Sequence, residues 1–358
     1  MHVDKIFWLT IITFIVKNIQ SLCLSKNKYL FKHLLMDRKK LDPSYTYKYD
    51  NIQWNNKIIA IGDIHGDVES LKLILRHSNL IDENDEWIAE DVMLVQVGDV
   101  LDRGVFGPYI YDYLLKLQKD AVKKNSKVIL IMGNHEQLNL CGAFHYVNET
   151  EIMLFFQNNL NNRIFSFTNK NGNYFKKLIR LPAMVKVNNI IFTHGGINKS
   201  MSQYDINTIN LKTRLQIENK CKKFKFEKYN YLSRDGVLWT NEFSNNVKVQ
   251  PKKTCKNLLN ILKKYKAKGL VVGHTRQKSH QIQTYCNNSF FLIDTGMSLF
   301  MNNGQPYPNY LQIEKGNFKS VHLIVEEYNR KKECQGKQVQ LNKPYKKTIC
   351  LSHKIKDL

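Results

Sequence analysis

The sequence predicts an α/β layered fold, on two observations. Short β-rich apolar runs alternate with helical patterns, and five of the runs end in a glycine-containing polar cluster. Alternation of this kind packs helices on the faces of a sheet, and on its own it suggests a parallel, doubly wound sheet. A chain of 358 residues can form one large domain or two modest ones. With 43% hydrophobic and 24% charged residues, it is neither a wholly disordered chain nor a multi-span membrane protein.

The elements run as follows. Residues 1–23 read as a signal peptide or signal anchor. Lys5 precedes an eleven-residue apolar run at 6–16, and Ser21 and Cys23 sit three and one residues before a cut after Cys23. Eleven residues suit the apolar core of a signal and fall short of the roughly twenty of a membrane span; a buried strand or helix is the alternative. Residues 24–53 are rich in lysine and tyrosine without a period, and read as a basic linker. From Trp54 the texture changes. Residues 57–61 form a strand ending in Gly62-Asp63, and Val68, Leu71, Ile74 and Leu75 then follow a helical period. Residues 92–97 form a strand that also ends in Gly-Asp, 109–123 a helix, and 127–132 a strand ending in Gly133-Asn134. Residues 184–187 and 190–193 pair as strands turning at Asn188-Asn189. The polar stretch 199–230 reads as helical in part, and 257–268 as an amphipathic helix leading to a strand at 270–272. Late strands are expected at 289–293 and 321–326. Residues 329–358 form a basic C-terminal tail; from Arg330 on it has nine Lys or Arg against two acids and no helical period.

Lysine and arginine total 54 against 31 aspartate and glutamate, a net charge of +23. Such a charge favours solubility and attracts polyanions. The cations are scattered among asparagines rather than gathered in blocks, so nucleic acid is not the expected partner. The seven cysteines are widely spaced and include no CxxC, which excludes a zinc framework or a dense disulfide scaffold; free or buried thiols are the expectation.

The five clusters carry the chemistry. They are Gly62-Asp63-Ile64-His65-Gly66, Gly98-Asp99-Val100-Leu101-Asp102-Arg103-Gly104, Gly133-Asn134-His135-Glu136, Thr193-His194-Gly195-Gly196 and Gly273-His274-Thr275. The C-terminal ends of strands are where α/β sheets present ligand groups. Together the clusters supply Asp, His, Asn and Arg but no cysteine, a donor set suited to Mn, Fe or Zn.

This set resembles the calcineurin-like metallophosphoesterases, and within them the PPP class of protein phosphatases. The continuation Gln137-Leu138-Asn139-Leu140-Cys141-Gly142, with Phe144 and Tyr146-Val147, is similar to the Shewanella-like protein phosphatases; so are Ser233-Arg234-Asp235-Gly236-Val237-Leu238-Trp239-Thr240 and Val271-Val272-Gly273-His274-Thr275. The SAPNY segment of toxin-sensitive phosphatases is replaced by Asp294-Thr295-Gly296-Met297-Ser298, so toxin sensitivity is not implied. The resemblance spans residues 57–327 and makes 54–328 the catalytic domain. It implies a fold of class α/β (α+β), a central β-sandwich flanked by helices rather than a doubly wound sheet, with a site for two divalent metal ions at one sandwich edge.

Residue by residue, the resemblance assigns Asp63, His65 and Asp99 to one metal. It assigns Asp99 as a bridge, with Asn134, His194 and His274, to the other. Mn is the expected metal, with Fe or Zn as alternatives. A shared carboxylate brings two cations within about 4 Å, where they polarise the attacking water and the phosphoryl oxygens. His135 resembles the general acid, Asp102 its orienting carboxylate, and Arg103 a phosphate clasp. Arg234 is the candidate second phosphate-binding arginine. The implied activity is hydrolysis of phosphoserine, phosphothreonine or phosphotyrosine in a phosphoprotein substrate. A nucleotide or dinucleoside-polyphosphate hydrolase on the same centre is the alternative. A binding-only protein would require a lost ligand, and none is lost. The apolar segment at 6–16 places the enzyme in the secretory pathway, in the lumen of the endoplasmic reticulum or associated with a membrane, with the basic linker able to hold it near acidic lipid.

Overall fold

The computed structural model describes residues 49–222, 230–325 and 356–357. The expected signal segment, residues 24–48 of the expected linker and nearly all of the expected tail lie outside them. Within the described residues, ten strands of at least three residues form two mixed sheets.

In the first sheet, β1 (Ile58–Ile61), β2 (Met93–Gln96) and β3 (Lys127–Leu130) are parallel. β9 (Asn309–Glu314) adds antiparallel to β1, β10 (Asn317–His322) to β9, and the two-residue β11 (Lys356–Asp357) to β10. The second sheet has β5 (Ile190–Thr193), β6 (Gly269–Val272) and β8 (Phe290–Leu292) parallel, with β4 (Met184–Val187) and β7 (Gln283–Tyr285) antiparallel at its edges.

Side chains alternate across a strand, and here both faces are covered. Ile58 and Ala60 of β1 join Met93, Val95, Val185, Phe192, Val271, Phe291 and Leu311 in one apolar cluster drawn from both sheets. Ile59 and Ile61 instead join a cluster with helix residues such as Leu71, Leu114 and Leu258. This double burial explains why the runs are continuously apolar rather than alternating. It makes the fold a helix-flanked sandwich, so the doubly wound sheet suggested by alternation alone is corrected. Strand–helix alternation is common to both architectures; which sheet covers the second face is not written in local pattern.

Each of the first two crossovers carries a helix, α1 (Val68–His77) and α2 (Gly107–Val122). Asp67 caps α1 by accepting from Ser70 N at 3.0 Å. After β3 come four short helices, α3 (Asn134–Leu140), α4 (Glu149–Phe155), α5 (Leu160–Thr168) and α6 (Asn173–Leu178). They were not expected, because six to nine residues give too few turns for a period to show. The second half adds α7 (Ile206–Glu218), α8 (Glu242–Val249) and α9 (Pro251–Lys264). α9 begins six residues before the expected 257, with Pro251 in its first turn, where a missing N–H costs nothing. The late strand expected at 321–326 is displaced to 317–322, where it pairs with β9.

Two further expectations are corrected. Residues 49–52 of the expected linker are packed: Ile52 N donates to Lys186 O at 3.0 Å, and Ile52 bridges Val187 at the edge of the second sheet. Four of the cysteines are paired, Cys141 with Cys221 and Cys255 with Cys286. Their separations of 80 and 31 residues close only in the folded chain, and connectivity cannot be read from spacing.

Candidate metal centre

The five clusters meet at the C-terminal ends of β1, β2, β3, β5 and β6, where parallel strands deliver their loops to one end of the sandwich. The loops are held in conformations L-residues seldom adopt. His65 (φ 43°), Asp99 (56°), Asp102 (67°), Arg103 (64°) and His274 (62°) are all left-handed, each at a cost on the order of 1 kcal/mol. Glycine permits the close approach. A Cβ on Gly133 would collide with Asp99 Oδ1 and N, and one on Gly273 with Asp63 Oδ1.

Asp99 is central. Its Oδ2 lies 3.2 Å from His194 Nε2, 3.8 Å from His65 Nε2 and 3.9 Å from His135 Nε2. Asn134 Oδ1 lies 2.8 Å from His194 Nε2 and 2.9 Å from His274 Nδ1. Asp63 is buried alongside, accepting from His274 N at 3.1 and 3.2 Å. All six expected ligands are thus brought together. Two sets of donor atoms lie within 4.8 Å of one another: His65, Asp99 and His135, and Asp99, His194 and His274. Asp99 belongs to both. Asp63, turned toward the His274 amide, belongs to neither, while His135 stands as close to Asp99 as His65 does.

The backbone settles the tautomers of two imidazoles. His65 Nδ1 is 3.0 Å from Leu101 O and His194 Nδ1 is 2.9 Å from Val97 O. A carbonyl only accepts, so each Nδ1 carries a proton and each Nε2 faces the cluster; burial lowers the pKa of His194, but the charge of Asp99 and the bond to it prevail and raise it above the ordinary value. His274 bonds the Trp239 backbone and offers Nδ1. Burial pushes His65 down to about 4, and burial with the neighbouring His194 does the same to His274, so both are neutral donors.

The carboxylates crowd. Burial, then the charges of Asp294 and Asp99, push Asp63 well above the usual carboxylate range, and burial pushes Asp294 up to about 6. Burial also opposes ionisation of Asp99, but His194 and His135 outweigh it and hold Asp99 well below that range. The charge of a crowded, buried carboxylate set ringed by imidazole nitrogens is what divalent cations would neutralise, and the oxygen and imidazole donors suit them. The residues therefore fit divalent metal ions.

His135 differs from the other histidines. Its Nδ1 donates to Asp102 Oδ2 at 2.7 Å. Burial lowers its pKa, but the charge of Asp99 and the Asp102 bond prevail and raise it above the ordinary value. Asp102 is buried, and its Oδ1 accepts from Asn139 Nδ2 at 2.9 Å. Arg103 is exposed and lies over Tyr146, with Cζ 4.6 Å from the ring centroid. Arg234 is exposed at the start of the loop whose Val237 O accepts from Gly195 N and Gly196 N.

Two residues carry more of the site than their place in the motifs had assigned. Glu136 is buried and accepts from Gly133 N, Asp99 N, Val100 N and Leu101 N at 2.7 to 3.1 Å, tying the loop after β2 to the start of α3. Its position at the third residue of a helix, where an acid reaches back to the cap, was the available signal. Arg163 of α5 is buried with no such signal. Its Nε donates to Glu151 Oε1 at 2.8 Å, its Nη2 lies 3.8 Å from Asp102 Oδ1, and its Cζ lies over the Phe167 ring, 4.5 Å from the centroid.

Arg163→Met should destabilise the fold by about 3 kcal/mol, because a buried pair loses one partner. The loss should grow with pH. Burial raises Glu151 to about 7 from 4.5, with Arg163 restraining the rise. The folded state therefore keeps a proton that the unfolded state releases above about 4.5, and stability is lost as pH climbs through the folded pKa. Without Arg163 that pKa climbs further, so the variant should keep losing stability past pH 7, where the parent levels off. Denaturant midpoints at pH 6 and 8 check this; an equal gap at both would contradict it.

Residues 56–277 match the calcineurin-like phosphoesterase family. The chain is 64% identical, over 94% of its length and 92% of the relative's, to Shewanella-like protein phosphatase 1 of Plasmodium berghei (strain Anka). It is 28% identical, over 70% of its length and 73% of the relative's, to Shewanella-like protein phosphatase 2 of Arabidopsis thaliana. Among solved structures, a cold-active protein-tyrosine phosphatase of a psychrophilic Shewanella species aligns with a TM-score of 0.66 at 22% identity, covering 78% of this chain and 82% of that one, a likeness of fold. The chain belongs to the calcineurin-like phosphoesterases, in their Shewanella-like protein phosphatase branch.

Proposed function

We propose that the protein is a metal-dependent phosphoprotein phosphatase, hydrolysing phosphoserine, phosphothreonine or phosphotyrosine monoesters. The observation that carries this reading is the His135–Asp102 pair, set against a donor cluster centred on Asp99. Asp63, His65 and Asp99 would hold one cation; Asp99, Asn134, His194 and His274 the other. When bound, two divalent cations supply Lewis acidity to the phosphoryl oxygens and acidify the attacking water. Manganese is the metal we favour, since the donors are oxygen and imidazole without sulfur. His135 in its charged form, with its Nδ1–H bonded to Asp102, presents Nε2–H to the leaving oxygen, donates that proton and is left neutral. Asp102 fixes the ring and stabilises its charged form. Arg103 places a guanidinium at the exposed rim, where a phosphate's two oxygens can be clasped. Arg234 is proposed as a second, outer contact for the phosphate or its peptide.

The test is turnover of phosphoserine, phosphothreonine and phosphotyrosine peptides, and of a dinucleoside polyphosphate, with manganese and with a chelator. Phosphopeptide hydrolysis that the chelator abolishes and manganese restores is the expected result. Full activity after chelation, or turnover confined to the dinucleoside polyphosphate, would overturn the reading.

We also propose that residues 1–23 direct the chain to the secretory pathway, into the endoplasmic reticulum lumen or onto its membrane. The two disulfides support this, since such bonds persist in oxidising compartments. A reporter fused after residue 30 should enter that pathway and one on a chain starting at Leu24 should not; identical cytosolic distribution would refute the proposal.

A further inference from the structure

We infer that Tyr146 is a positioning residue for phosphate binding: its ring is the platform that holds the Arg103 guanidinium ready for substrate. The inference rests on Arg103 being a phosphate clasp, as proposed above. Arg103 is an exposed side chain, and an exposed arginine samples many rotamers unless something restrains it. Its neighbour in sequence, Asp102, does not supply the restraint, because that carboxylate is buried and accepts from His135 and Asn139.

The restraint comes from the loop after α3. Arg103 N donates to Tyr146 O at 2.8 Å, and Asn148 Nδ2 donates to Arg103 O at 3.1 Å, which locks the left-handed backbone of Arg103. The guanidinium then lies over the Tyr146 ring, 4.6 Å from its centroid. A guanidinium held over a ring in this way can keep its N–H edges for a bidentate oxyanion contact. The same ring lies 5.0 Å from His135, centroid to centroid, so the platform also fixes the separation between clasp and general acid. The backbone bond from Arg103 to Tyr146 O survives any change of the Tyr146 side chain. A substitution there therefore isolates the ring.

The experiment uses the full chain loaded with manganese. It measures inhibition of p-nitrophenyl phosphate turnover by inorganic phosphate in the parent, Arg103→Ala, Tyr146→Ala, Tyr146→Phe and the Arg103→Ala/Tyr146→Ala double variant. Tyr146→Ala should raise the phosphate inhibition constant and KM by about tenfold, with metal content and melting temperature unchanged and kcat affected less than KM. Tyr146→Phe should restore parental values, because the ring and not the hydroxyl does the positioning. The double variant should be no worse than Arg103→Ala alone. If Arg103→Ala weakens phosphate binding and Tyr146→Ala does not, or if the two losses add, the platform is refuted while the clasp stands. A fall in kcat alone in Tyr146→Ala, acting through His135, would refute it as well. If Arg103→Ala itself leaves phosphate inhibition unchanged, the clasp fails and the platform with it.

Discussion

Asp99→Asn should lower kcat/KM by at least about a thousandfold, since the several kcal/mol that metal charge contributes to a phosphoryl transition state translate to that factor. No other side chain of the site serves both donor sets. Asp99 Oδ2 faces His194 at 3.2 Å and His65 at 3.8 Å, and Asp99 is the member common to the two groups that could hold an ion. Asparagine keeps the shape, and it keeps the oxygen that accepts from His135 N at 2.9 Å, so α3 should remain in place. What it removes is one negative charge next to both cation positions. Metal analysis of the purified variant should find fewer than two ions per chain. A variant that binds two ions normally and turns over at the parental rate would show that Asp99 is not the bridge.

His135→Asn should cost about 10² to 10⁴ in turnover of phosphopeptides, the range over which general acids act. The leaving alkoxide of serine or threonine needs a proton, whereas p-nitrophenolate hardly does, so the loss should shrink greatly with p-nitrophenyl phosphate. The structure makes this prediction sharper than sequence could. His135 Nε2 lies 3.9 Å from Asp99 Oδ2, close enough to count as a metal donor by distance alone. If His135 were a ligand, its removal would strip metal and depress both substrates equally. If it is the acid, metal content stays and only the poor leaving group suffers. The commitment of its Nδ1 to Asp102, which no other histidine of the cluster shares, favours the second outcome.

The site was far more legible than the architecture around it. Every ligand candidate lies in a glycine-bearing cluster at a strand end, and the chemistry of a loop that must bring a carboxylate and an imidazole together restricts the local sequence severely. Gly133 and Gly273 show why: any side chain there would displace Asp99 or Asp63. Strands β4 and β5 were readable to the residue, because Asn188-Asn189 marks the turn between two apolar runs. The sandwich was not readable from pattern. Ile58 and Ile59 look alike in sequence, yet one packs between the sheets and the other beneath the helices. The α3–α6 segment was hidden because its helices are short, and with it the buried Arg163, whose partners Glu151 and Asp102 lie 12 and 61 positions away. The disulfides were hidden for the same reason: contacts at such separations are decided by topology, which local periodicity does not encode.

The central claim, a two-cation centre bridged by Asp99, is tested most directly by anomalous scattering from crystals of the manganese-loaded protein. Two peaks should flank Asp99, one contacted by Asp63 and His65, the other by Asn134, His194 and His274, with His135 Nε2 coordinated to neither. A single peak, or a peak bound by His135 Nε2, would contradict the account.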